Sequence, residues 1–223
     1  MKFFEHLQAA TAPERARLLS NPLVGQALAG ELTRERYVAF LCQAYHHVRH
    51  TVPLLMAAGS RLPPEKEWLR TALAEYVEEE LGHQEWVLND IAACGYDAEL
   101  ARHSRPNPAT ELMVAYAYHT IDRVNPVGFF GMVHVLEGTS ITVADEAARC
   151  IAESTGLPRQ AFTYLTSHGA LDIEHVKFFE NLMNRIEDPQ DQELIVHCAN
   201  MFYRLYGDVY SSIEEVQARA LAA

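Results

Sequence analysis

Three stretches of this 223-residue sequence place carboxylates and imidazoles at spacings that serve metal coordination: Glu80-x-x-His83, the solitary Glu137, and His168-x3-Asp172-x2-His175. A helix turns about 100° per residue, so residues three, four and seven apart share one face. Projected this way, Glu80 and His83 fall in the sector of Leu69, Leu73, Tyr76, Val87 and Ile91, the apolar stripe of their segment. Glu78 and Glu85 fall on the far side, and Glu79, the nearest rival to Glu80, near the edge. Glu137 is the only formal charge between Val127 and Ile141 and shares a stripe with Phe130, His134 and Ile141. His168, Asp172 and His175 lead a stripe that continues through Phe179, Leu182 and Ile186, although Gly169 could interrupt the helix after His168.

Charged groups on core-facing stripes are expensive unless protonated, paired or bound to a cation. Three carboxylates carry a charge that three neutral histidines do not balance, whereas two divalent cations do. A mixed nitrogen and oxygen donor set suits iron or manganese, and the lack of thiolates argues against structural zinc. Carboxylate-x-x-His occurs twice, as Glu80–His83 and Asp172–His175. Ferritin-like bundles also use two such pairs, with a lone glutamate from each of two further helices. Here His168 replaces one of those glutamates, so the chemistry is related but the pattern differs.

Helices are the elements that must position these groups. No segment alternates with period two, so no strand is expected, and the fold class is all-α, a bundle packed around one elongated core. A short helix over about 3–9 is followed by helical segments opened by Thr11-Ala12-Pro13 and Asn21-Pro22. Thr33 caps a long helix through Tyr45, His50 and Leu55, kinked at Pro53. Pro63-Pro64 starts a helix that runs to Cys94 and stops at Gly95. Tyr96 to Pro108 reads as the longest loop, and helices follow from about Ala109, Pro126, Pro158, Ala170 and Pro189.

The chain's mass of 25.1 kDa and its 49% apolar residues suit one domain, 1–223, with a substantial core. With 18 basic against 30 acidic residues, the net charge of −12 argues against nucleic acid or an anionic membrane as a partner. No apolar run is long enough to span a membrane, and the N-terminus lacks a signal peptide's apolar stretch. Four cysteines about 50 residues apart form neither a zinc knuckle nor a disulfide framework, so a reduced, cytoplasmic protein is expected. Cys150 and Cys198 read as buried, inert thiols. His46 and His50 lie opposite the stripe of Tyr37, Leu41, Val48 and Leu55 and read as surface or substrate-channel residues. His134, one turn before Glu137, is placed to hold that carboxylate. Phe202, Tyr203, Tyr206 and Tyr210 read as core, with substrate contacts expected from the helices around Tyr45 and Tyr206.

The set Glu80-x-x-His83, Glu137 and His168-x3-Asp172-x2-His175 resembles the ligands of haem-oxygenase-like diiron oxidases. These are also called iron-containing redox enzymes, and they lie within the wider TenA/PqqC-like superfamily. The segment from Tyr45 to Leu55 is also typical, and His-x3-Asp-x2-His is the specific element. The resemblance implies a haem-oxygenase-like bundle of about seven or eight helices, commonly a homodimer, with two Fe(II) ions (or Mn) that react with O₂ to oxidise a small organic substrate. It leaves the reaction open, because members decarboxylate, desaturate, cleave C–C bonds or hydroxylate amine nitrogens. The competing enzyme reading, a TenA-like thiaminase II, needs a cysteine nucleophile where this chain has Glu137. It also needs an aspartate where Gln43-Ala44-Tyr45 has alanine. A non-catalytic helical binding protein is the third reading, and it leaves six polar groups of the core without a purpose.

Overall fold

Side-chain caps start five of the helices, and prolines in first turns reinforce several of them. In the computed structural model, which describes residues 2–214, 218 and 221 and the side chains of all these but 141 and 167–175, eleven α-helices and no strand are found among the described residues. The first, α1 (Phe3–Leu19), is followed by α2 (Pro22–Leu28), where the Asn21 side chain accepts from the Leu23 amide. Thr33 likewise caps α3 (Arg34–Val48), which is followed by α4 (Thr51–Arg61). A short 3₁₀ turn over Pro64–Lys66 leads into α5 (Glu67–Glu80), and α6 (His83–Ala93) follows. Asp97 caps α7 (Ala98–His103) and Asn107 caps α8 (Pro108–His119). A π turn over Thr120–Val124 and a 3₁₀ turn over Pro126–Phe129 precede α9 (Phe130–Thr155). The last long helices are α10 (Thr163–Met183) and α11 (Pro189–Ser211), the latter capped by Asp188.

Several expected boundaries move. Thr11-Ala12-Pro13 opens no new helix: the Thr11 hydroxyl donates back to the Leu7 carbonyl at 2.8 Å, and α1 runs on through Pro13. The long helix expected after Thr33 breaks at Arg49 and His50, with Pro53 inside the first turn of α4 rather than at a kink. The rod from Pro64 to Cys94 divides at Leu81-Gly82, because Leu81 is extended and Gly82 takes φ +92°, in the left-handed region. The segment read as a loop holds α7. Gly169 interrupts nothing, and one helix covers both segments expected from Pro158 and Ala170. Against the ten helical segments read from the sequence, two divided rods and the added α7 outweigh two mergers, which gives eleven among the described residues.

The core is built around α9, which α10 and α11 flank, with α1 on α11 and α2 on the later turns of α9. Contact between α9 and α11 depends on Gly131, where a Cβ would lie 2.6 Å from the Ala199 amide nitrogen. On the other side α3 packs on α6 and α8, and α4 on α5. Two buried aspartates pin helix ends. Asp90 of α6, fully buried, accepts from the amides of Thr163 (3.0 Å) and Tyr164 (2.8 Å) at the start of α10. Asp191, in the first turn of α11, pairs with Lys66 and accepts from Asn125 at 3.2 Å. Among the described residues no single helix is long and apolar enough to cross a membrane. One pair, 126–140 and 142–155, passes jointly by length and composition but is bent by 42°.

Candidate metal centre and cavity

Glu80 is the last residue of α5 and His83 the first of α6, so the two do not share a helical face as the sequence projection assumed. The Gly82 turn nevertheless brings them together. The Glu80 carboxylate lies 2.9 Å from His83 Nδ1, with the imidazole buried and stacked on Trp86 at 3.9 Å between centroids. Closing onto the start of α6 suits a carboxylate, because a helix N-terminus carries partial positive charge. Glu80 is half-buried, while Glu78 and Glu79 are exposed.

Glu137 approaches the same space from the second turn of α9. Both carboxylates line one large cavity, with an empty volume of about 1330 Å³ including its opening to solvent. Tyr76 of α5 lines it beside them. Burial, and then the negative charges of Glu137, Glu79 and Glu80, push the Tyr76 phenol far up, so it keeps its proton. His83 does not line this cavity; it backs Glu80 from behind. A second cavity of about 640 Å³ lies on another side of Glu137, between α1, α9, α10 and α11, with Thr11, Arg15, His134 and Tyr203 in its wall.

His134 does not hold Glu137 as expected. Its Nε2 lies 3.3 Å from the Thr11 hydroxyl, whose own proton goes to Leu7, so the imidazole donates there. Burial, helped by nearby Arg15, lowers its pKa to about 4, so at neutral pH the ring is uncharged and Nδ1 carries no proton to offer. His46 and His50 are corrected too. His46 is buried and bonds Ser104 at 2.8 Å, burial first and then Arg49 and His50 lowering its pKa to about 4. His50 meets the Tyr118 hydroxyl at 3.2 Å, and neither histidine lines the cavity. The face opposite the stripe is covered by the end of α7 and by α8. His47 lines the cavity and was missed, because α3 is buried around most of its circumference and no stripe singles it out. Tyr206 and Tyr210 line it as well, whereas Tyr45 does not. Cys150 is only half-buried and receives a hydrogen bond from Arg149 at 3.4 Å; Cys198 is buried.

The side chains of His168, Asp172 and His175 lie outside the described residues, though the backbone there is helical. Among the described residues no group of three or more His, Cys, Asp or Glu is placed to hold a metal ion. What the described part supplies is a pair of carboxylates, from α5 and α9, on a shared cavity. Hard oxygen donors of this kind fit iron or manganese.

A family model described as iron-containing redox enzyme matches residues 38–207. A 4-aminobenzoate synthase from Chlamydia muridarum (strain MoPn / Nigg) is 22% identical over 218 residues, 96% of this chain and 91% of that protein. Among solved structures, a domain of unknown function with a heme oxygenase-like fold from Shewanella denitrificans OS217 superposes with a TM-score of 0.86. It is 23% identical, with 99% of this chain and 96% of that one covered. A TenA homologue from Pseudomonas syringae pv. tomato str. DC3000 gives 0.76 at 15% identity, covering 94% of this chain and 91% of that one. The bundle therefore has the haem-oxygenase-like fold, and by the match across most of its length the chain belongs to the family of iron-containing redox enzymes.

Proposed function

We propose that the protein is a non-haem diiron oxidase or oxygenase that uses O₂ to oxidise a small organic molecule. The observation that carries this reading is the pair Glu80 and Glu137, delivered from separate helices to one apolar cavity in a chain of an iron-containing redox family. Glu80, His83, Glu137, His168, Asp172 and His175 would hold the iron. Bound iron would supply the one-electron steps through which dioxygen reacts with a closed-shell organic molecule.

The residues of the chain have separate tasks. Tyr76 keeps its proton beside Glu137 and so limits the orientations open to that carboxylate. The His83 ring, fixed between Trp86 and Glu80, does the same for the other. The apolar wall offers water few hydrogen-bonding partners beside the two carboxylates. The TenA-like hydrolase reading lacks its nucleophile, since among the described residues no cysteine lines the cavity.

The test is addition of Fe(II) without oxygen, followed by O₂. The wild type is expected to show a transient visible absorption band and iron-dependent oxygen uptake. Glu137→Ala and His175→Ala are each expected to lose more of that uptake than the roughly 10–100-fold that loss of a ligand's supporting partner costs. Uptake at the wild-type rate in either variant would defeat the assignment.

A further inference from the structure

The cavity extends well beyond the carboxylates. Its wall follows α9 from Met132 to Ile151; beyond Glu137, Thr139 and Ser140, the part from Val143 to Ile151 is, at 1.5 Å per residue, about 12 Å long. In that part the wall is aliphatic: Val143, Ala144, Ala147 and Ile151 face Val24 and Ala27 of α2 around the same space. A different side of the cavity carries uncharged hydrogen-bonding groups. The Tyr206 and Tyr210 rings lie together with centroids 4.5 Å apart, and His47 meets Tyr206 edge-on at 5.8 Å. Among the described lining residues there is no lysine, arginine or aspartate, and Glu80 and Glu137 are the two carboxylates.

We infer that the substrate is an uncharged molecule with an extended hydrocarbon body and one hydrogen-bonding group, the body lying between α2 and the later turns of α9 and the polar group meeting the Tyr206, Tyr210 and His47 side. The hydrocarbon part of this inference stands on the shape and lining of the cavity. The absence of charge rests on the preceding reading: with both carboxylates committed to iron, the described wall offers no further formal charge to pair with an ion. A small polar metabolite is disfavoured, because it would leave the long aliphatic chamber unfilled and its own polar groups unsatisfied.

Binding of 1-octanol, octanoate and octylamine to the full-length chain, followed by calorimetry without oxygen, tests this. The measurement is made on metal-free protein and again after Fe(II) addition. In the iron-loaded protein octanol is expected to bind at least tenfold tighter than either ion. Ala147→Phe, which fills the chamber far from the carboxylates, is expected to weaken octanol at least tenfold while leaving the iron titration unchanged. Ala144→Leu serves as the milder variant should the larger ring disturb folding, with helical content checked by circular dichroism. Tyr206→Phe is expected to weaken octanol severalfold. Octanoate or octylamine binding as tightly as octanol to the loaded protein overturns the uncharged class, and octanol affinity unmoved by both chamber variants overturns the hydrocarbon site. Failure of iron to bind defeats the reading of the carboxylates, yet leaves the chamber result standing, so the two failures are told apart.

Discussion

Asp90 is fully buried, and its two oxygens accept the amides that open α10, the helix carrying His168, Asp172 and His175. Burial raises its pKa from the ordinary 3.8 to about 6, against the pull of the Tyr164 and Thr163 amides in the other direction. Because the folded value is the higher one, between about pH 4 and pH 6 the native chain holds a proton that the unfolded chain has released. The contribution of this residue to stability therefore falls as pH rises through that window. Asp90→Asn removes the titration, so the wild type is expected to lose stability relative to the variant from about pH 4 to pH 6, measured by urea unfolding. A wild type that gained on the variant over this range would contradict the assigned direction. At neutral pH Asp90→Ala leaves two helix-opening amides without their acceptor and is expected to cost about 1 kcal/mol.

Gly82 sets the relation between α5 and α6. Its φ of +92° is strained for any residue with a Cβ, although a Cβ there would meet nothing within 4 Å. Gly82→Ala therefore acts through the backbone alone, at a cost of about 1–2 kcal/mol. If that strain is relieved by straightening the junction, Glu80 moves away from His83 and from the cavity. The variant is expected to have a lower melting temperature and weaker Fe(II) binding; unchanged iron affinity would show that Glu80 tolerates a change of junction. This turn also marks the limit of what the sequence discloses. Caps and first-turn prolines at Asn21, Thr33 and Asp188 were legible because the signal is local. The division at Leu81-Gly82 was not, because the apolar period continues through it and one glycine within a helical pattern is ambiguous. Glu80 and Glu137 stood out as charges on apolar stripes, and both face the cavity. Asp90 and His47 did not stand out, since what buries them comes from α10 and α11, far along the chain.

Across the whole molecule, a net charge of −12 coexists with carboxylates turned inward on a long apolar cavity. Without metal, such groups repel one another and lower stability; with metal they become a source of it. The metal-free chain and the iron-loaded chain should therefore rank a single substitution in opposite order. In Glu137→Gln one negative charge is removed while the shape of the side chain is kept, so the metal-free variant is expected to melt about 2–4 °C above metal-free wild type, equivalent to about 1 kcal/mol in a chain of this size. Fe(II) at about 100 times its dissociation constant adds about 2.7 kcal/mol to a protein that binds it only when folded, or about 5–10 °C. That increment is expected in the wild type and largely lost in Glu137→Gln, so the order of melting temperatures reverses when iron is added under anaerobic conditions. Calorimetric scans of both proteins, with a chelator and with Fe(II), decide the matter. Equal iron-induced increments in the two would mean that Glu137 lies on the cavity without binding metal, and the two carboxylates would then need a different explanation.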